Sequence, residues 1–315
     1  MNVLSSLFGA GVRTRNFLYD RGTLAVRTLK APTISVGNLS VGGSGKTPFV
    51  ILLGELLKTR GVTFDILSRG YGRESKRVAV VEPGGSPRQF GDEPLLMARR
   101  LGVPVVVGED RYEAGVLAEQ KFAMQMHILD DGFQHRALAR DFDIVLVTPD
   151  DARDSLLPAG RLREPVAALR RADAVVLTSG ADAKLFPCDG KNVWRVRRGI
   201  LPKNVPAKPV AFCGIARPQN FFLQLRTAGV EPAAEAVFRD HHAYTERDIH
   251  DLLQLRNSSE AAGFVTTEKD AINLEGYFSA LEPLAVVPVK MELVDAGSAV
   301  DTMLRTIAER RKLPA

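Results

Sequence analysis

The sequence predicts an α/β protein, a doubly wound and mainly parallel sheet followed by a second, smaller C-terminal α/β domain. Three observations lead there. Short β-branched runs ending in Gly, Asp or Ser alternate with longer segments of helical spacing. The runs are apolar throughout, as in strands covered on both faces. One of them enters a glycine-rich turn that opens a helix, a βα unit built around a phosphate-sized turn.

Taken in order, residues 1–23 form a segment of their own. Val3, Leu4, Leu7, Phe8 and Val12 recur at three- and four-residue spacing beside Arg13, Arg15 and Arg21. That pattern predicts an amphipathic helix with basic flanks. It is not a secretory signal, since no charged side chain precedes the apolar part and Gly9 and Gly11 interrupt it. Such a helix can dock on its own domain or lie on a membrane. Residues 24–201 form the core, with strands predicted at Thr33–Gly37, Thr63–Ser68, Val78–Val81, Val103–Gly108, Met126–Asp130, Asp143–Thr148 and Ala174–Thr178. Helices fall between them, such as Lys46–Arg60 and Glu93–Leu101. Pro202, Pro206 and Pro209 mark a hinge or edge connector. Residues 202–315 follow as the smaller domain. Its strands are predicted at Val210–Gly214, Glu235–Phe238, Gly263–Thr267 and Leu284–Val287, its helices at Gln219–Thr227, Glu246–Arg256 and Ala299–Lys312.

Composition excludes several classes. The 315 residues are 45% apolar and 25% charged, which rules out a disordered chain. No apolar run approaches the ~18 residues of a membrane span. Cys188 and Cys213 are the only cysteines, too few for a disulfide framework or a zinc cluster, and fit a reducing compartment. The net charge of +5 suits an acidic ligand or an anionic surface, and solubility explains it equally well.

The stretch from Thr33 to Thr47 carries the chemistry. Ser40, Val41, Gly42, Gly43, Ser44, Gly45, Lys46 and Thr47 follow a strand and open a helix. Polyphosphates need many converging N–H donors, and glycines let the backbone approach them closely. The helix N-terminus adds donors and partial positive charge. Lys46 is placed to bridge the β- and γ-phosphates and Thr47 to ligate Mg²⁺. The usual first glycine of the motif is replaced by Ser40. Asp130 and Asp131 end an apolar strand and are the metal candidates, against the alternative of a simple strand-to-turn Asp-Gly. His127, inside that run, reads as a core histidine. Thr267-Glu-Lys-Asp270 imitates the base-reading element of a GTPase at the wrong spacing, and no Cys/His cluster suits a metal-delivery NTPase. The modest charge and few aromatics argue against nucleic acid. Phosphoryl transfer to a small or lipid acceptor remains, with a soluble-acceptor kinase and a nucleotide-gated switch as rivals.

Several blocks carry a resemblance: Ser35–Pro48, Leu67–Arg73, Gly91–Pro94, Glu109–Tyr112, Leu129–His135, Leu157–Pro165 and Thr266–Ala271. In this order they resemble the tetraacyldisaccharide 4′-kinase family of lipid A biosynthesis, which shares the Ser40 departure. The resemblance implies a P-loop NTPase core and a kinase that uses ATP and Mg²⁺ to phosphorylate the 4′-hydroxyl of tetraacyldisaccharide 1-phosphate. The enzyme would sit peripherally on the cytoplasmic face of the inner membrane through its N-terminal helix, with no nucleic acid and no obligate protein partner. It further implies Asp92 as base, paired with His241 of Asp240-His241, with the adjacent His242 as the alternative partner. Arg163 is then a phosphoryl-charge ligand and Glu164 a support for Mg²⁺, or the two are surface ion-pairing residues at a helix start. Gln134 and His135 are candidates to orient phosphate or metal-bound water. Arg69, Tyr71, Arg73, Glu93 and Arg111 are candidates on the acceptor side, where arginine forks onto phosphate. Closure about the proline-rich hinge would exclude water.

Overall fold

The computed structural model describes residues 3–312; residues 1, 2 and 313–315, the ends of the predicted first and last segments, lie outside them. The elements run α1 (Val3–Asp20), β1 (Thr33–Asn38), α2 (Lys46–Lys58), β2 (Phe64–Ser68), β3 (Ala79–Val80), α3 (Pro87–Phe90), α4 (Asp92–Leu101), β4 (Val105–Val107), α5 (Arg111–Lys121), β5 (Met126–Asp130), β6 (Phe142–Val147), β7 (Ala174–Leu177) and β8 (Asn192–Ile200). They continue as β9 (Val210–Cys213), α6 (Pro218–Thr227), β10 (Ala234–Val237), α7 (Glu246–Ser258), β11 (Phe264–Thr267), α8 (Glu268–Leu274), β12 (Leu284–Val287), β13 (Val289–Leu293) and α9 (Ala296–Lys312).

Nine strands form one sheet in the order β13-β8-β7-β6-β1-β5-β2-β4-β3. All its pairings are parallel except β3 with β4 and β13 with β8. Both faces are covered, which is why the strands are apolar throughout: on β6, Phe142, Ile144 and Leu146 join one core while Val145 and Val147 join the other. Strand β1 lies between β5 and β6, where the winding reverses. In open α/β sheets ligands bind beyond the carboxyl ends of the strands at such a point.

A second, four-stranded parallel sheet, β10-β9-β11-β12, has its own two cores. Its extent differs from the predicted 202–315. After β12 the chain turns at Pro288 and returns to the large sheet as β13, antiparallel to β8. Ala299, Val300, Met303 and Ile307 of α9 then join the core of the large sheet. Residues 289–312 therefore belong structurally to the first unit. Neither β8 nor β13 was among the predicted strands.

Helix α1 docks by one strip only. Glu164 accepts from Asn16 Nδ2 at 2.6 Å, Arg136 donates to the Asn16 carbonyl at 2.9 Å and pairs with Asp20 at 2.7 Å. Val3, Leu4, Leu7, Phe8 and Phe17 remain exposed. No helix among the described residues is long and apolar enough to cross a membrane.

Candidate active site

Strand β1 delivers the phosphate loop. Gly42 and Gly45 adopt φ of 90° and 87°, a region that glycine enters without penalty. At Gly45 this turn aims the start of α2 at the cleft. The loop is braced from outside: the Val41 N–H bonds to the Arg161 carbonyl at 2.8 Å and the Arg163 N–H to the Leu39 carbonyl at 2.7 Å. Beneath it sits Asn38, buried, which donates to Ser44 Oγ and the Ser40 carbonyl at 2.7 Å each. Asn38 Oδ1 accepts from Lys46 Nζ at 3.2 Å and from Arg163.

Strand β5 ends in the two carboxylates, and their surroundings separate them. Arg163 grips Asp131 with two bonds of 2.7 and 2.8 Å, and Lys46 Nζ lies 3.6 Å away. Burial opposes the Asp131 charge, but Lys46 and Arg163 prevail and hold it well below the usual carboxylate range. Asp130 accepts one bond, from Ser68 Oγ at 2.9 Å, and its Oδ1 is buried without a partner. Burial, with Glu93 and Asp131 nearby, pushes its pKa up to about 7.

Across the cleft, α4 begins with Asp92. Gly91 at its N-cap has φ 88°, and a Cβ there would lie 3.0 Å from the Tyr71 carbonyl, so only glycine lets α4 start this close to the 70–71 turn. His241 Nδ1 lies 2.9 and 3.0 Å from the two Asp92 oxygens, and Asn273 donates to Asp92 at 3.2 Å. Lys269 Nζ sits 3.1 Å from His241 Nε2, 3.8 Å from Asp92 and 2.9 Å from Asp240. Burial would raise Asp92, but His241, Lys269 and Asn273 hold it below its ordinary value. Burial opposes a charged His241, yet Asp92 carries it above the ordinary histidine value. Tyr71 packs against the imidazole, ring centroids 5.2 Å apart. The neighbouring His242 turns away, 3.0 Å from Asp248 and stacked on Phe238.

Both groups face one cavity of about 650 Å³, lined from both sheets and including Lys46, Thr47, Arg69, Tyr71, Glu93, Asp130, Asp131 and Arg163. Other candidates lie elsewhere. Glu164 is fully buried and accepts from Arg171 at 3.0 Å with each oxygen and from Asn16. Its three bonds run to Arg171 and to Asn16 of α1, and it does not line the cavity. Gln134 donates to the Asn38 carbonyl at 3.0 Å and steadies β1. His135 is enclosed, with burial and Arg111 pushing it down to about 4. Arg111 is buried and donates to the carbonyls of Gly108 and Glu109, and Arg73 to those of Lys76 and Arg77. None of these four lines the cavity. The sequence reading gave no role to Asn38, Lys269 or Asn273. The first and second lie inside blocks quoted for the resemblance, and that was the only signal they gave.

A strand–glycine turn–helix at the switch point of a doubly wound sheet, with paired acidic residues on the adjacent strand, makes this a P-loop NTPase-type nucleotide-binding protein. Comparison with known proteins narrows the class. The family profile described as tetraacyldisaccharide-1-P 4′-kinase, LpxK, matches residues 1–308. The tetraacyldisaccharide 4′-kinase of Koribacter versatilis is 53% identical, over 99% of this chain and all of that protein. That of Aquifex aeolicus is 41% identical over 87% of this chain and 89% of its own. A solved structure described as the "apo" form of LpxK from Aquifex aeolicus in complex with ATP superimposes with a TM-score of 0.80. It has 38% identity and covers 96% of this chain and 97% of that one. The chain belongs to the tetraacyldisaccharide 4′-kinase family.

Proposed function

We propose that this protein is an ATP-dependent kinase that phosphorylates the 4′-hydroxyl of tetraacyldisaccharide 1-phosphate in lipid A biosynthesis. Family membership supports the reaction. The observation that carries it to these residues is the Asp92–His241 pair facing the phosphate loop across one cavity. A sugar hydroxyl needs an acceptor for its proton. A carboxylate held below its ordinary range is a weak base, which suits a loose transfer where charge appears on the attacking oxygen late. Asp92 orients the hydroxyl and takes its proton. His241 and Lys269 keep Asp92 ionised. Lys46 and Arg163, held together by Asp131, bring positive charge to the transferring phosphoryl group.

The residues present fit a divalent cation: Asp130 Oδ1 is buried and unpartnered, and two further carboxylates raise its proton affinity. Thr47 and Asp130 are the groups that would hold Mg²⁺. No cluster of three or more His, Cys, Asp or Glu ligands occurs among the described residues, so the remaining positions would fall to phosphate oxygens and water. When bound, the ion would neutralise charge on the phosphates.

An acceptor with four acyl chains stays in the bilayer, so the enzyme must reach it. The exposed apolar side of α1, with Leu7 and Phe8, is suited to lie in the cytoplasmic leaflet of the inner membrane, as a peripheral contact. The connectors 201–209 and Pro288 would act as the hinge on which the small sheet closes. Arg69 and Tyr71, on the cavity wall beside Asp92, are the acceptor-side residues.

The test is transfer of label from γ-labelled ATP to tetraacyldisaccharide 1-phosphate in mixed micelles with Mg²⁺. Labelled lipid is the expected result. ATP binding without labelled lipid would reassign the protein to a soluble acceptor or a nucleotide switch. The Leu7→Glu/Phe8→Glu variant should lose sedimentation with anionic vesicles; unchanged sedimentation would remove α1 from the membrane contact.

A further inference from the structure

Strand β8 carries a side chain that its own pattern does not explain. Trp194 and Val196 are buried in the core of the large sheet, and the next position on that face is Arg198. An apolar residue would continue the series. Arg198 pairs in register with Met291 of β13, and Met291 in turn packs on the phosphate loop: a Cβ at Gly45 would lie 3.3 Å from its terminal carbon. The last β8 residue paired with β7 is Arg195. Residues 196–200 run on beyond that pairing with only β13 beside them and bring Arg198 into the wall of the cavity.

The cations of this cavity differ in their partners. Lys46 and Arg163 share Asp131, Arg100 pairs with Glu268, and Lys269 meets Asp92, Glu93 and Asp240. Arg217, at the end of the turn between β9 and α6, pairs with Asp150 at 3.2 Å. Arg69 and Arg198 have no carboxylate or side-chain hydrogen-bond partner among the described residues, and of the two Arg198 is the one set beside the phosphate loop through Met291. Arg198 is exposed to the cavity, and the neighbouring charge of Arg217 works against its protonated form. The β9–α6 turn lies over the loop: a Cβ at Gly43 would meet Ala216 at 3.5 Å and Arg217 at 3.9 Å. A guanidinium without a counter-ion, exposed to the cavity beside a second guanidinium at the rim of a phosphate loop, is open to an anion. Arginine is built to fork onto phosphate oxygens.

We infer that Arg198 binds the polyphosphate of the nucleotide, closing the ring of positive charge around the phosphate loop from the side of β8 and Arg217. The inference rests on the ATP-dependent reading above and extends it to a residue with no assigned part. Its position carries two opposite consequences. Without nucleotide the side chain is a liability, because its charge repels Arg217. With nucleotide it is a ligand.

The experiment uses the full chain in detergent, comparing wild type, Arg198→Gln and Arg198→Lys. Affinities for ATP and AMP are measured by calorimetry, and thermal midpoints with and without ATP. Arg198→Gln should weaken ATP about ten- to hundredfold, the range of a charge-assisted bond, and AMP far less. Arg198→Lys, which keeps the charge without the fork, should fall between. The midpoint of Arg198→Gln without nucleotide should equal or exceed that of wild type, while its ATP-induced rise shrinks. Equal weakening of ATP and AMP, unchanged ATP affinity, or a lower midpoint with an intact ATP-induced rise would each overturn the inference. A wild type that phosphorylates the lipid while Arg198→Gln binds ATP normally sinks this inference alone. A wild type that binds no ATP sinks the kinase reading with it.

Discussion

Replacing Glu164 by alanine separates a structural from a metal-binding role. Glu164 is fully buried and takes three bonds: 3.0 Å twice from Arg171 and 2.6 Å from Asn16. Arg171 is itself mostly enclosed and stacks on Phe133, 4.4 Å from the ring centre. Removing the carboxylate leaves a buried guanidinium without its counter-charge and an amide of α1 without its acceptor. Breaking a buried pair from one side costs about 3–5 kcal/mol. For a chain of this size that corresponds to a fall of roughly 6–20 °C in thermal midpoint, at about 2–4 °C per kcal/mol. Calorimetry of Glu164→Ala and of the double variant Glu164→Leu/Arg171→Met measures it. The double variant removes both charges, so it should recover most of the loss. Glu164→Ala with an unchanged midpoint and a raised Mg²⁺ requirement would refute the reasoning and restore a metal role.

Other expectations concern the cleft. Asp92→Asn should lower kcat about 10²- to 10⁴-fold, the usual worth of a positioned proton acceptor, with ATP affinity retained in a direct binding assay. His241→Ala should destabilise the fold by on the order of 1 kcal/mol in urea titrations at pH 6 and by less at pH 9. The sign follows from the raised histidine pKa: its contribution is complete below the unfolded value near 6.5 and is lost as pH rises through the folded one. The same pair has an acid limit, since Asp92 is held below its ordinary value and its contribution disappears only as pH falls through that lowered value. Asp130→Asn removes a buried charge flanked by Asp131 and Glu93, so the metal-free midpoint should not fall, while Mg²⁺-dependent turnover drops. A lower midpoint with normal turnover would make Asp130 structural.

Legibility followed the range over which each feature is determined. The phosphate loop was readable because strand, glycines and helix start are contiguous, and their backbone needs dictate their residue types. Arg163 and Glu164 were read together, although the structure sends them apart. The Arg163 N–H pairs with the Leu39 carbonyl, and the chain bends at both Arg163 and Glu164. Arg163 therefore enters the cleft and Glu164 the packing beneath α1. A bend of this kind leaves no periodic signal, and the partners Asn16 and Arg171 come from other elements. β13 likewise shows a period-two pattern in Val289, Met291 and Leu293. Which sheet receives it depends on β8, roughly ninety residues earlier, and local sequence carries no trace of that pairing.

The cavity carboxylates sort themselves by their counter-charges. Asp131 is given two cations and stays ionised, which makes it a clamp: it holds Lys46 and Arg163 in place at the cost of part of their charge. Asp92 is given a histidine and a lysine, so it stays ionised yet open to the cleft. Asp130 accepts one hydrogen bond, from a hydroxyl, and burial with two acidic neighbours outweighs the charge of Lys46. Two carboxylates adjacent in sequence on one strand end thus have opposite electrostatic needs, and only Asp130 is short of positive charge. An external cation relieves that shortage, whereas at Asp131 it would have to displace a bidentate arginine. Because the two residues are chemically identical, the sequence could name the pair but not divide the work between them. The division comes from Arg163, which a segment more than thirty residues away brings to one carboxylate and not the other.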